Sequence, residues 1–170
     1  MILYIMRHAE AVEASDALCD EWRFLTENGR TSVERISGQI GEYGRKPRLI
    51  ISSPLVRAVQ TAQIAAMNAC RKNRVVISGL LAPGGDINEL ITHLRGCADA
   101  KRVMVVGHEP QVGTLVAALL RRKSPISLKK AGCVALELFP EEEERRADFL
   151  WHMIPGKKVI TALKKAFPAP

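Results

Sequence analysis

Two histidines and two arginines carry the chemistry open to this chain. They lie in three short segments: Arg7-His8, Ser52-Ser53-Pro54-x-x-Arg57, and Gly107-His108. A neutral imidazole is a competent nucleophile toward phosphorus, and a covalent intermediate on it divides one difficult displacement into two. Arg7 and Arg57 can bind phosphoryl oxygens bidentately, neutralising charge in the ground state and the transition state. His108 can donate a hydrogen bond to an equatorial oxygen, most strongly as a cation beside the dianion. Positive charge supplied in this way makes a metal or other cofactor unnecessary. Taken singly, each of these residues reads as a hydrogen-bonded structural histidine or a surface arginine. Their value lies in the joint pattern.

That pattern depends on the elements that hold it. Ile2 to Met6 reads as a buried strand, Arg48 to Ser52 as a second, Val75 to Ile77 as a third and Arg102 to Val106 as a fourth. Between them, Val33, Ile36, Ile40 and Tyr43 recur at helical spacing, and Gly44 to Pro47 end that helix. Ser53-Pro54 looks like a helix start, with serine at the cap and proline in the first turn. The following helix carries Val56, Val59 and Gln63 among alanines, so it is expected to pack closely on a sheet. Ile87 to Leu94 and Gln111 to Leu120 are further helices.

Alternating βα units of this kind predict a single-domain, three-layer α/β/α sandwich with a mostly parallel sheet. The three chemical segments each follow a strand, and the carboxyl ends of parallel strands share one edge where ligands bind. Two histidines, two arginines and the N–H groups of helix starts would then meet in one anion site. Beyond Leu120 the character changes. Cys133 to Phe139 and Phe149 to Ile154 are strand-like, separated by the charged run Glu141 to Arg146, which reads as a solvated connection, so an antiparallel strand is expected near the C-terminus. In the tail, Ile160, Leu163 and Phe167 fall on one possible helix face and are expected to dock on the chain's own domain.

The composition narrows the partners. The chain has 170 residues, 47% of them hydrophobic and 25% charged, which suits one soluble domain. No apolar run approaches the length of a membrane span, and the N-terminus lacks a signal-peptide pattern, so a cytoplasmic protein without membrane association is expected. Cys19, Cys70, Cys97 and Cys133 are too scattered for a disulfide framework or a zinc site, and none opens a C-x5-R loop. Small buried side chains in a reducing compartment are the simpler reading. The net charge of +7 favours anionic partners. The 5% aromatic content is poor material for stacking on bases, which argues against nucleic acid.

Met6-Arg7-His8-Ala9-Glu10 resembles the RHG signature of the histidine phosphatase superfamily, which has the phosphoglycerate mutase-like fold, with alanine in place of the usual glycine. Ser52 to Ala62 is similar to that superfamily's second motif, and Val106-Gly107-His108-Glu109-Pro110 to the region of its second histidine. The resemblance spans about Ile2 to Leu120. It implies that His8 is the phosphorylated nucleophile and that Arg7, Arg57 and His108 complete the phosphate pocket. Short length, Leu25-Thr26-x-x-Gly29 and Leu80-x-x-Pro83-x-Gly85-Asp86 make the chain most similar to the SixA-type phosphohistidine phosphatases. Larger members carry an insertion that roofs the cleft. Here the gap from Arg57 to His108 reads as an ordinary helix, strand and helix, open to a phosphohistidine displayed on a protein and unsuited to a mutase.

Ester-cleaving members of the superfamily use a carboxylic acid to protonate the leaving oxygen. Asp86 is the candidate general acid, yet Asp86-x-x-Glu89 also has capping-box spacing, and Glu10 is a third carboxylate nearby. Three functions therefore stand at the level of sequence: a phosphatase of protein phosphohistidine, a small-molecule phosphomonoesterase, and a non-catalytic phosphate- or nucleic-acid-binding module. Presence of the nucleophile and all its pocket partners disfavours the third.

Overall fold

The structure is a computed structural model that describes residues 1–70, 75–139 and 147–168. Strands β1 (Ile2–Arg7), β2 (Leu49–Ser52), β3 (Val75–Ile77), β4 (Arg102–Gly107), β5 (Cys133–Leu138) and β6 (Ala147–Met153) form one sheet in the order β3-β2-β4-β1-β5-β6. The first four are parallel to one another, and β5 runs antiparallel to both β1 and β6. Side chains alternate across this sheet, as strand geometry demands. Tyr4, Met6, Met104 and Val106 face helices α1 (Glu27–Tyr43) and α2 (Val56–Ala69). Leu3, Ile5, Val103 and Val105 face α3 (Ile87–Gly96) and α4 (Gln111–Leu119). The predicted three-layer sandwich with one antiparallel strand is the observed fold. The expected charged connection, Glu141 to Arg146, lies outside the described residues.

The helices differ from their sequence reading in detail. α1 starts at Glu27, where the Thr26 hydroxyl accepts the Gly29 N–H at 3.0 Å. Val33, Ile36 and Ile40 are buried as predicted, but Tyr43 in the last turn is exposed. Gly29 is required for packing, since a β-carbon there would lie 2.2 Å from the Glu10 carbonyl oxygen. α2 begins at Val56, with Leu55 at the cap position, so Ser53 is not the cap. Proline holds the residue before it extended, and the Ser53 N–H continues the sheet ladder to Val106 O at 3.0 Å. α2 does pack closely, through Ala58, Ala62, Ala65, Ala66 and Ala69. Val56 and Val59 are half-buried and Gln63 is exposed. Cys70 and Cys133 are buried, whereas Cys19 is exposed.

The tail docks on its own domain by a different route from the predicted helix face. Ile160 pairs in an extended bridge with His152, and only Leu163–Ala166 (α5) is helical. Phe167 is buried, edge-on to Phe149 at 6.0 Å and stacked on the His152 ring at 5.1 Å. Among the described residues neither ring nitrogen of His152 has a hydrogen-bond partner. Burial pushes its pKa down to about 4. A histidine held neutral in the fold but protonated when unfolded makes stability fall as pH drops from about 6.5 toward 4. His152→Phe should therefore flatten the acid side of a Tm-against-pH curve, sparing on the order of 3 kcal/mol by pH 4. Equal loss in both proteins would mean that His152 keeps its proton exchange with water. No described helix is long and apolar enough to cross a membrane.

Candidate active site

The three segments meet because β1, β2 and β4 end side by side. Arg7 is in register with Gly107 and Ser52 with Val106. The ladder runs one residue further on two strands, with the His8 N–H bonded to Gly107 O at 2.9 Å and Ser53 to Val106. His8 and His108 consequently face each other, with ring centroids 4.9 Å apart. Arg57, in the first turn of α2, is buried beside them.

The two imidazoles are fixed in different ways. His8 Nδ1 lies 2.7 Å from the Ala9 carbonyl oxygen, so Nδ1–H donates there and the lone pair resides on Nε2. Burial lowers the His8 pKa to about 4; the Ala9 contact opposes that shift, and Arg57, Arg7 and Arg23 add to it. His108 Nε2 lies 2.7 Å from Ser53 Oγ. The Ser53 hydroxyl accepts the Leu55 N–H at 3.3 Å, and among the described residues its own O–H has no acceptor other than Nε2, an assignment that puts the His108 proton on Nδ1. Burial first, then His8 and Arg57, lower the His108 pKa to about 3, against an upward pull from Asp20. In the ligand-free protein both rings are neutral at pH 7. Burial and the flanking positive charge disfavour the His108 cation in the ligand-free site.

The arginines are held by one edge each. Arg7 donates from NH1 to Leu128 O at 2.8 Å. Arg57 donates from NH1 to Asp20 O at 2.5 Å and from NH2 to Asp20 Oδ2 at 2.9 Å. Among the described residues, Arg7 Nε, Arg57 Nε and His108 Nδ1 are buried without a partner. An unpaired buried donor costs about 1–3 kcal/mol, and three around one histidine mark a place for an anion with several acceptor oxygens. Asp20 and Arg23 were not anticipated. The Asp20 carboxylate also accepts from Arg23 NH1 at 2.9 Å, and this bond, together with Arg57, holds its pKa below the ordinary range against partial burial. The local signal that could have found them is the Asp20-x-x-Arg23 spacing just before Leu25-Thr26.

The carboxylates have other partners. Asp86 is exposed at the cap of α3, where its Oδ1 accepts the N–H groups of Asn88 at 2.7 Å and Glu89 at 2.9 Å. Glu10 accepts the Thr26 hydroxyl at 3.0 Å. Glu109, also not anticipated, accepts the Leu128 N–H at 2.9 Å while burial raises its pKa. With Arg7 on the Leu128 carbonyl, it clasps that residue. For Asp86 the geometry favours the cap. Asp86→Asn should leave Tm within about 0.5 kcal/mol equivalent and turnover unchanged, since asparagine caps equally well. A selective loss on esters with poor leaving groups would restore Asp86 as the acid. Among the described residues no cluster of three or more His, Cys, Asp or Glu side chains could hold a metal ion.

This arrangement has relatives. Residues 3–76 match the histidine phosphatase superfamily (branch 1). The chain is 30% identical to the phosphohistidine phosphatase SixA of Escherichia coli over 161 residues, covering 91% of this chain and 94% of that one. The chain belongs to the histidine phosphatase superfamily. It is also 34% identical over 141 residues to an uncharacterised protein of Picosynechococcus sp., covering 80% of this chain and 84% of that one. The structure of the protein histidine phosphatase SixA complexed with tungstate superposes with a TM-score of 0.81 at 25% identity, covering 91% and 97% of the two chains. This histidine phosphatase is thus an enzyme of the phosphatase class with the fold of SixA. Its departure from the RHG signature is accommodated locally. Ala9 is fully buried, its carbonyl still accepts from His8, and its N–H bonds Thr61 Oγ1 at 3.2 Å.

Proposed function

We propose that this enzyme removes phosphate from phosphohistidine in proteins through a covalent phosphohistidine on His8. The observation that carries the reading is the ring of unpaired buried donors, Arg7 Nε, Arg57 Nε and His108 Nδ1, around a neutral imidazole whose free lone pair is on Nε2. The His8 Nε2 lone pair attacks phosphorus as the bond to the leaving nitrogen breaks and its electrons return to that nitrogen. Water then attacks the phosphoryl group, the P–Nε2 bond breaks, and inorganic phosphate leaves. The three donors take the phosphoryl oxygens throughout. Tungstate, the ligand in the SixA structure, is a tetrahedral oxyanion like phosphate.

Substrate class follows from the carboxylates. Glu10 and Asp86 are engaged in hydrogen bonds and Asp20 is held ionised, while Glu109, whose pKa burial raises, is turned onto the Leu128 N–H. An alkyl ester cleaved without an acid must expel an alkoxide. A P–N bond to a protonated imidazole releases a neutral ring, for which a built-in acid is less necessary. The kinship with SixA and the lack of a roof among the described residues between Arg57 and His108 support the same reading. Measured at equal ionic strength, kcat/KM for a phosphohistidine-bearing protein should exceed that for glycerol and sugar phosphates. A small ester ahead by tenfold or more would replace this reading with that of a general phosphomonoesterase.

A further inference from the structure

We infer that the groove between Trp22 and the Pro54–Val56 segment is the subsite for apolar side chains flanking the phosphohistidine of a protein substrate, an inference that rests on the function proposed above. The groove has a volume of about 320 Å³ and is lined by Glu21, Trp22, Pro54, Leu55 and Val56. Both walls are tied to the phosphate site. Pro54 to Val56 lies between Ser53, which bonds His108, and Arg57. Trp22 lies between Asp20, which bonds Arg57, and Arg23, whose Nε donates to Val12 O at 2.6 Å. These bonds pin the short 3₁₀ turn Asp20–Trp22 at both ends and hold the indole out, 64% exposed.

Exposed singly, an indole would be ordinary, but Trp22 shares one groove with Pro54, Leu55 and Val56, and a contiguous apolar groove beside an active site marks a binding surface. The occupant has to enter with the phosphoryl group, because the groove opens from the same loop that carries Ser53 and Arg57. Glycerol phosphate brings little but hydroxyls, which gain little from a groove of tryptophan, leucine, valine and proline. A phosphohistidine on a protein surface arrives with neighbouring side chains, and leucine or a similar residue among them fits both the size and the polarity of this groove. The Asp20–Arg57 pair thereby places a specificity wall at a fixed distance from the phosphate donors.

The test uses helical peptides bearing one phosphohistidine, flanked at the third and fourth positions by leucine or by serine, together with phosphoramidate as a substrate lacking any flank. Burying one leucine-sized side chain in such a groove should favour the leucine peptide over the serine peptide by about tenfold or more in wild-type kcat/KM. Trp22→Ala should erase that preference while phosphoramidate turnover and inhibition by inorganic phosphate stay within about twofold. Trp22→Phe should keep most of the preference, and Phe24→Ala, which removes an exposed aromatic outside the groove, should keep all of it. Equal rates on the two peptides in the wild type, or a preference that survives Trp22→Ala, would overturn the subsite. Failure of the underlying function has a different signature: glycerol phosphate would outrun both peptides, whatever their ratio to each other.

Discussion

His8→Ala is expected to be inactive on every substrate while keeping the fold. Removing the nucleophile of a covalent mechanism costs about 10⁶ in kcat in the best-studied hydrolase, and no other described side chain stands where His8 Nε2 does. Wild-type enzyme quenched during turnover into alkali, which preserves phosphohistidine, should carry label on His8; label on His108 would exchange the two roles. The electrostatics add a check on the free protein. A nucleophilic imidazole must be neutral, and the pKa of about 4 keeps His8 so at every physiological pH. Activity should therefore be insensitive to His8 titration above about pH 5 and fall as pH drops through 4. Imidazole NMR titration of the ligand-free enzyme should show the same low value. A His8 pKa near 6.5 would mean that water reaches the ring far more freely than its 9% exposure implies.

Arg57→Ala carries the second-largest expected effect. Among the described residues, Arg57 Nε is buried without a partner beside the two histidines, while Asp20 holds the NH1 and NH2 edge. On the proposed mechanism, truncation removes a phosphate donor and releases the Asp20 turn together. Loss of one oxyanion-type donor costs about 2.7–4 kcal/mol, at least a hundredfold in kcat. Binding of inorganic phosphate should weaken as well, because the same donor serves both states. Arg57→Lys should recover little, since an ammonium cannot bond Asp20 and the phosphoryl group in one plane. Near-normal kinetics and phosphate affinity in Arg57→Ala would take this residue out of the pocket.

How legible these residues were depended on what fixed them. The strand and helix pattern could be read from β-prone runs and helical spacing, and with it the convergence of Arg7, His8, Arg57 and His108 at one sheet edge. Ser53 reads as a helix cap because a serine before a proline has the same local appearance whether its hydroxyl faces a helix or a histidine 55 residues away. The Val106 carbonyl, which keeps Ser53 in the ladder, belongs to another strand. Asp86 was legible as a cap because capping is local, contained within three residues.

Sequence by itself determined the α/β scaffold, written in residue type and short-range period. Through its resemblance to the histidine phosphatases it offered His8 as the nucleophile, with Arg7, Arg57 and His108 as its phosphate-binding partners. Only the tertiary structure decided the rest. It paired Asp20 with Arg57 across 37 positions, gave Glu109 to Leu128 and Glu10 to Thr26, and left three nitrogens unpaired around His8. It also made both catalytic-site imidazoles neutral. The physical reason is that hydrogen-bond satisfaction and desolvation depend on what surrounds a group in space, and neighbours in space are supplied by distant parts of the chain.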